Sequence, residues 1–379
     1  MADGIVIAEH GRSNWGSGSS THVVESYEEE EWECAGLEPF FFDVAEAVAD
    51  HERRMQIEQE NEQEKARLED LRKQRRQAYD RSRDYDPKQG GRYMTRCFFY
   101  DFLQFDVDEE SSLGPVRYTD KVYKMDDFCP LLNAVNILSV KIASLDVKFP
   151  IHVYGTVIAR DSFDRKCVYV FRRTRDNCQV IKSKTQSLTL EGPKRGLVLL
   201  DDLFIEIDLK IKDVRQKSAQ RGRDRELSKG FVRIKGTGRI LEKSLVESKY
   251  LATRLSTVEV GCSVVKDGLE SLVAIEVLRG EFSGKITACT VHVPHSLLLH
   301  DSKLGGKKKV GGVKGVIQLL QPVITVGRGD KLIVVIQTSD GVSKRTVEFT
   351  RRIRSSDEDV ITVGATKMRV KVSWSVMDW

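Results

Sequence analysis

At 379 residues the chain has room for two domains, or for one large β domain with an appendage. Hydrophobic residues make up 40% and charged residues 31%, so a packed core is expected in part of the chain only. The net charge of +4 sets 61 Lys plus Arg against 57 Asp plus Glu, which is too balanced to imply a nucleic-acid partner by itself and turns attention to local clusters.

Seven cysteines (Cys34, Cys97, Cys129, Cys167, Cys178, Cys262 and Cys289) form no C-x-x-C pair and no Cys/His group with zinc spacing. Reduced thiols and a cytoplasmic or nuclear location are expected. The acidic start has too short an apolar run for a signal peptide, and no stretch nears the roughly 20 apolar residues of a membrane span.

Residues 1–38 read as a disordered acidic tail, with Gly16-Ser17-Gly18-Ser19-Ser20 and Glu28-Glu29-Glu30-Glu31-Trp32-Glu33. Residues 39–90 read as one long charged helix, because Asp43–Asp84 is rich in Ala, Glu, Gln, Lys and Arg and lacks Gly and Pro. Glutamates fill its first half and Arg72, Lys73, Arg75, Arg76, Arg81 and Arg83 its second, an order that complements the helix dipole. Met55, Ile57, Leu68 and Leu71 are too sparse for a heptad seam, so a solvated helix is expected rather than a coiled coil. Asp86-Pro87-Lys88-Gln89-Gly90-Gly91 should end it.

Residues 91–135 read as an irregular aromatic connector around Phe98–Phe105, a run that needs cover from solvent. Residues 136–379 read as an antiparallel β domain. Leu203, Ile205, Ile207, Leu209 and Ile211 alternate with Phe204, Glu206, Asp208 and Lys210, which predicts one dry face and one wet face. Gln216–Ser228 reads as an exposed charged loop. Asp267-Gly268 and Asp340-Gly341 sit between alternating runs, a hairpin signal in both places. The last strand sets Met368, Val370, Val372, Trp374 and Val376 against Arg369, Lys371, Ser373 and Ser375. The fold class is therefore mainly β: an antiparallel β-sandwich, or partly open barrel, of about a dozen strands, preceded by one long charged α-helix.

The β region resembles the grass (Poaceae) family of uncharacterised proteins with the C-terminal domain of unknown function 6598. The likeness rests on Ser112-Leu113-Gly114-Pro115, Ile137–Lys141, Phe149–Asp161, Leu190–Gly196, Glu206–Lys212, Arg225–Gly230, Leu299–Lys303, Gly315–Leu320 and Lys371–Ser375, and spans about Ser112 to Met377. It implies a plant protein with one β module and supplies no catalytic residue. In some grass proteins a similar module follows a ribosome-inactivating N-glycosidase; the N-terminal region here is too short and too polar for that enzyme.

No catalytic, cofactor-binding or metal-binding residue is assigned. His292, His295 and His300 lack a carboxylate set, with Asp301 the only adjacent acid. Asp201-Asp202, Glu206 and Asp208 read as a solvated face rather than a Ca²⁺ or acid–base site. Gly305–Gly315 is glycine-rich and basic but lacks the Lys-Ser or Lys-Thr and the following helix of a Walker loop. Lys229–Ile234 is only a partial RNA-recognition strand, Arg328-Gly329-Asp330 reads as a turn, and no G-x-S-x-G elbow occurs.

The expected function is a non-enzymatic β-sandwich module that binds a protein partner, with the helix as a second contact. The alternatives are an RNA- or phosphate-binding protein using Arg72–Arg83, Gln216–Arg225 and Lys307–Lys314, and an accessory module of a defence or toxin-type enzyme.

Overall fold

The computed structural model describes residues 43–97, 106–120, 131–213, 224–304, 315–351 and 355–378. The acidic tail, the Phe98–Phe105 aromatic run, most of the Gln216–Ser228 loop and the basic Lys307–Lys314 loop lie outside the described residues.

The helix α1 (Val44–Arg81) runs for 38 residues and buries none of its side chains. Asp43 caps it, its Oδ1 accepting from the amides of Ala45 at 2.8 Å and Glu46 at 3.3 Å. The expected helix of 39–90 stops short at Arg81. Ser82 is buried there, and its Oγ donates to the Tyr79 carbonyl at 2.7 Å. The chain then folds back as a hairpin, β1 (Arg83–Asp86) and β2 (Gly91–Met94). Asp86 caps the turn between them through the Lys88 amide at 2.9 Å, and Gly90 closes it with φ of 75°. Arg254 fixes the hairpin from a distant part of the chain. Its amide donates to Asp86 Oδ2 at 2.5 Å, and its guanidinium grips the Asp84 carboxylate. These long-range bonds outweigh the helix propensity that the local sequence carries.

The region from Ala134 onward holds two large hydrophobic cores and a small third cluster, Ala134, Val198 and Met377. Around the first pack β3 (Ala134–Leu145), β4 (Ile151–Arg160), β5 (Val168–Arg173), β6 (Gln179–Ile181), β7 (Leu197–Val198), β8 (Leu203–Ile211), β9 (Arg225–Ile234), β10 (Leu245–Thr253) and β11 (Ser256–Val265). One sheet runs β10-β11-β3-β7; the other runs β5-β4-β8-β9, with β6 also on β4. Arg225–Ser228, expected in a loop, are the first residues of β9 and pair with β8. At Gly155 the two strands β4 and β8 approach so closely that a Cβ would lie 2.1 Å from the Asp208 carbonyl oxygen.

Around the second core pack β12 (Leu269–Arg279), β13 (Gly284–Thr290), β14 (Leu297–Asp301), β15 (Val323–Val326), β16 (Lys331–Thr338), β17 (Lys344–Thr350), β18 (Ser355–Val363) and β19 (Thr366–Ser375). Its sheets run β15-β12-β19-β18 and β14-β13-β16-β17. Every strand pairing within the sheets is antiparallel. Met368, Val370, Val372, Trp374 and Val376 are all buried, as the alternation of the last strand requires.

The described residues contain nineteen strands rather than a dozen. The surplus includes β6, β7 and β15, of 3, 2 and 4 residues, too short to leave a periodic signature. Asp340-Gly341 does turn a hairpin, between β16 and β17, with Gly341 at φ of 74°. Asp267-Gly268 does not. Its flanking strands β11 and β12 belong to different sheets, so this dipeptide carries the chain from the first core to the second. The Gly268 amide donates to the Leu132 carbonyl at 2.8 Å, and a Cβ there would meet Thr325 Cγ2 at 2.6 Å.

Candidate functional site

Three polar features are the candidates: a buried ion cluster on β8, the seam between the two cores, and an open cleft beside that seam.

The first corrects the expectation of a wet outer face on β8. Glu206 is buried, because the segment after β2 lies over it. Its Oε1 accepts from the Cys97 amide at 2.9 Å, and its Oε2 accepts from Arg160 Nη2 at 3.0 Å and from Arg96 Nη2 at 3.2 Å. Arg160 Nε also lies 3.0 Å from Oε1, but off the hydrogen-bonding direction, so that contact is ionic only. Arg160 donates further to the Val107 carbonyl at 2.5 Å and the Arg165 carbonyl at 3.0 Å. Burial alone would pull the Arg160 guanidinium down, but the Glu206 charge and hydrogen bond hold it above its ordinary value. Burial, with Glu206 adding to it, pushes the Cys97 thiol far up and keeps it protonated. Asp208 stays half-exposed on the same side as Glu206, facing a groove of about 220 Å³ with Arg96, Tyr169 and Lys229.

The seam is stitched by buried polar groups from both cores. Asp161 and Arg195 form a bidentate pair, with Arg195 Nη1 2.6 Å from Oδ2 and Nη2 2.9 Å from Oδ1. Glu270, on β12, accepts from the amides of Gly196 at 2.5 Å and Val116 at 2.6 Å. Burial raises its carboxyl above the usual range, against those two amides and the charges of Arg117 and Arg195. Asn136 of β3 and Thr325 of β15 are joined twice: Nδ2 donates to the Thr325 carbonyl at 2.8 Å, and the Thr325 amide donates to Oδ1 at 2.8 Å. The side chain of Asn136 thus serves as one more rung for an edge strand of the second core.

The buried carboxylates share one feature. Asp86, Asp161, Glu206, Glu270 and Asp330 are the buried acids among the described residues, and each accepts at least one main-chain N–H from a loop or turn, for Asp161 from Phe163 and for Asp330 from His292. They hold connections in place, with Arg160 and Arg96 adding to Glu206 and Arg195 adding to Asp161.

The other residues singled out in the sequence are dispersed. Asp202 caps the Gly236 amide at 2.9 Å, while Asp201 is exposed. His292 Nδ1 lies 3.3 Å from Asp330 Oδ2, and His300 bonds the Gln318 carbonyl at 3.3 Å and Ser302 Oγ at 3.2 Å. Burial and the Lys141 charge lower His295 below its ordinary value. No group of three or more metal-ligating side chains gathers among the described residues. Arg328-Gly329-Asp330 is a turn, with Gly329 at φ of 73°.

The cleft has a volume of about 540 Å³ and is lined by Glu242, Lys243, Ser244, Lys266, Asp267, His292 and Arg328. Its walls come from the β9–β10 and β11–β12 connections on one side and the β13–β14 and β15–β16 connections on the other. Hydrogen bonds from main-chain amides tie three of these loops together. The Lys266 amide donates to Ser244 Oγ at 3.1 Å, and the Arg328 amide donates to the Lys266 carbonyl at 3.2 Å. Sequence reasoning missed this site, since its cations come singly from segments far apart in the chain.

The family described as a domain of unknown function (DUF6598) matches residues 134–372. No curated protein matches the chain. Among solved structures, the C2A and C2B domains of Extended-Synaptotagmin 2 are similar at 9% identity and a TM-score of 0.22, over 71% of this chain and 99% of that one. Human GIVD cytosolic phospholipase A2 is similar at 10% identity and a TM-score of 0.21, over 65% of this chain and 30% of that one. Likeness at such scores carries nothing about ligand or activity here. No helix among the described residues is long and apolar enough to cross a membrane.

Proposed function

The chain belongs to the DUF6598 family, and from that premise we propose that it works as a non-catalytic protein-interaction module in which α1 is the contact element and the β region its anchor. The observation that carries this reading is α1 itself, a helix of 38 residues with no buried side chain. At 1.5 Å per residue it extends for about 57 Å. Helices in folded proteins owe most of their stability to packing an apolar face, and α1 has no such face to pack. Its local support is electrostatic: Asp50 pairs with Arg53 at 3.0 Å, Gln74 bonds Asp70 at 2.7 Å, and its charge order follows the helix dipole. A surface of that length, acidic toward one end and basic toward the other, suits a partner of complementary charge order.

The buried acids support the same reading from the other side. All five accept main-chain amides, and arginines complete Glu206 and Asp161, which supports a role for the cores as anchorage.

The test is affinity capture with the full chain and with a chain lacking residues 1–81, which keeps the β1–β2 hairpin. A defined protein retained by the first and lost by the second, with the thermal unfolding of the β region unchanged, is the expected result. Equal retention by both chains removes the helix as the contact, and substrate turnover by the purified chain contradicts the non-catalytic reading.

A further inference from the structure

We propose that the cleft beside the seam is a binding site for a phosphate-bearing ligand, held by Lys243, Lys266 and Arg328. This site is separate from α1 and does not depend on the partner reading.

The charge balance is the first ground. Among the lining residues three cations, Lys243, Lys266 and Arg328, face two carboxylates, Glu242 and Asp267, and Arg351 adjoins them. Asp330, beside His292 at 3.3 Å, stands as a third acid at the edge of the cleft. Lys243 makes no ion pair among the described residues. The Lys266 ammonium has a single neutral acceptor, the Glu242 carbonyl at 3.4 Å. Arg328 has a side chain 77% exposed and reaches Asp267 only at 3.8 Å, too far for a hydrogen bond. The Asp267 carbonyl is already taken by Arg351 Nη1 at 2.5 Å. Burial lowers the Arg351 guanidinium, with Asp267 opposing it and the Arg328 charge adding a smaller downward push.

Preorganisation is the second ground. The main chains that carry Lys266 and Arg328 are bonded to each other, and Ser244, next to Lys243, is bonded to the first of them. Gly327 adds to this, because a Cβ there would lie 3.0 Å from both the Lys266 carbonyl and Ser244 Oγ. The cation-bearing backbone is therefore fixed, while none of the three charged tips is hydrogen-bonded to a carboxylate among the described residues. A ligand gains charge without the cost of ordering loops.

The ligand class follows from charge and size. A phosphomonoester is anionic and offers three acceptor oxygens to the three donor tips of Lys243, Lys266 and Arg328, where a carboxylate offers two. The volume of about 540 Å³ falls within the range of small-molecule sites. A soluble phosphate ester and a phosphorylated lipid headgroup present the same chemistry.

The experiment is calorimetric titration of the full chain with inorganic pyrophosphate. Alongside it runs co-sedimentation with phosphatidylcholine vesicles, with and without 5% phosphatidylinositol 4,5-bisphosphate. The variant is Lys243→Gln with Arg328→Gln, two exposed positions whose loss should leave the thermal midpoint unchanged; Lys371→Gln, on the outer row of β19, is the control. Affinity for pyrophosphate should fall at least tenfold in the double variant and by less than twofold in the control. Sedimentation with the phosphoinositide vesicles alone, lost in the double variant, assigns the headgroup as the source and still supports the site. Binding of neither probe overturns the proposal, as does binding that the double variant leaves intact or that the control weakens equally.

Discussion

Removing the Glu206 carboxylate tests the buried cluster most sharply. The side chains of Glu206 and Arg160 are 6% and 1% exposed, so Glu206→Leu strands a guanidinium out of reach of water. Breaking a buried pair from one side costs about 3–5 kcal/mol. The orphaned Cys97 amide adds about 1–3 kcal/mol. Replacing both partners, Glu206→Leu with Arg160→Met, removes the stranded charge. The loss in the double variant should therefore undercut the sum of the single losses by at least about 2 kcal/mol. Urea unfolding followed by far-UV circular dichroism, at neutral pH and moderate salt, measures all four corners of the cycle. A surface acid would give a loss below about 1 kcal/mol and additive effects, and either outcome would refute the buried assignment.

Three further predictions concern other parts of the molecule. Asn136→Ala should cost about 2–4 kcal/mol, because the Thr325 amide and carbonyl both lose their partner, and calorimetry should then show the melts of the two cores drawing apart. Trp374→Ala should cost about 3–5 kcal/mol, with increased hydrogen exchange in β12 and β19 and little change in β4 and β8. Asp224 carries a pH dependence. The Arg175 hydrogen bond holds its carboxyl far below the usual carboxylate range, with burial opposing and Tyr154 assisting. A folded-state value below the unfolded one gives stability that is complete above about pH 5 and lost as pH falls below 4. Urea midpoints across pH 2–7 should therefore drop less steeply in Asp224→Asn than in the parent.

The strands were legible in the sequence wherever a period of two ran for seven residues or more. The last strand shows this best: Met368, Val370, Val372, Trp374 and Val376 read as its dry row and are all buried. Helix α1 was legible from propensity, but its end was not, since Arg254 fixes Asp84 and Asp86 from 168 or more residues away. Asp340-Gly341 and Asp267-Gly268 look alike in sequence. What separates them is the packing of Gly268 against Thr325 and Ala134, which no local pattern encodes. Glu206 was misplaced for a related reason: alternation says which side of the sheet a residue faces, not whether another segment covers that side. The cleft was hidden because Lys243, Lys266 and Arg328 are single cations, each ordinary in its own loop.

Hydrogen–deuterium exchange on the purified full chain bears most directly on the account of two packed cores and a helix with no buried side chain. Peptides from Leu203–Ile211 and Met368–Ser375 should stay protected for hours, while peptides from Val44–Arg81 exchange within minutes. A helix as slow to exchange as those strands, in the isolated chain, would contradict it.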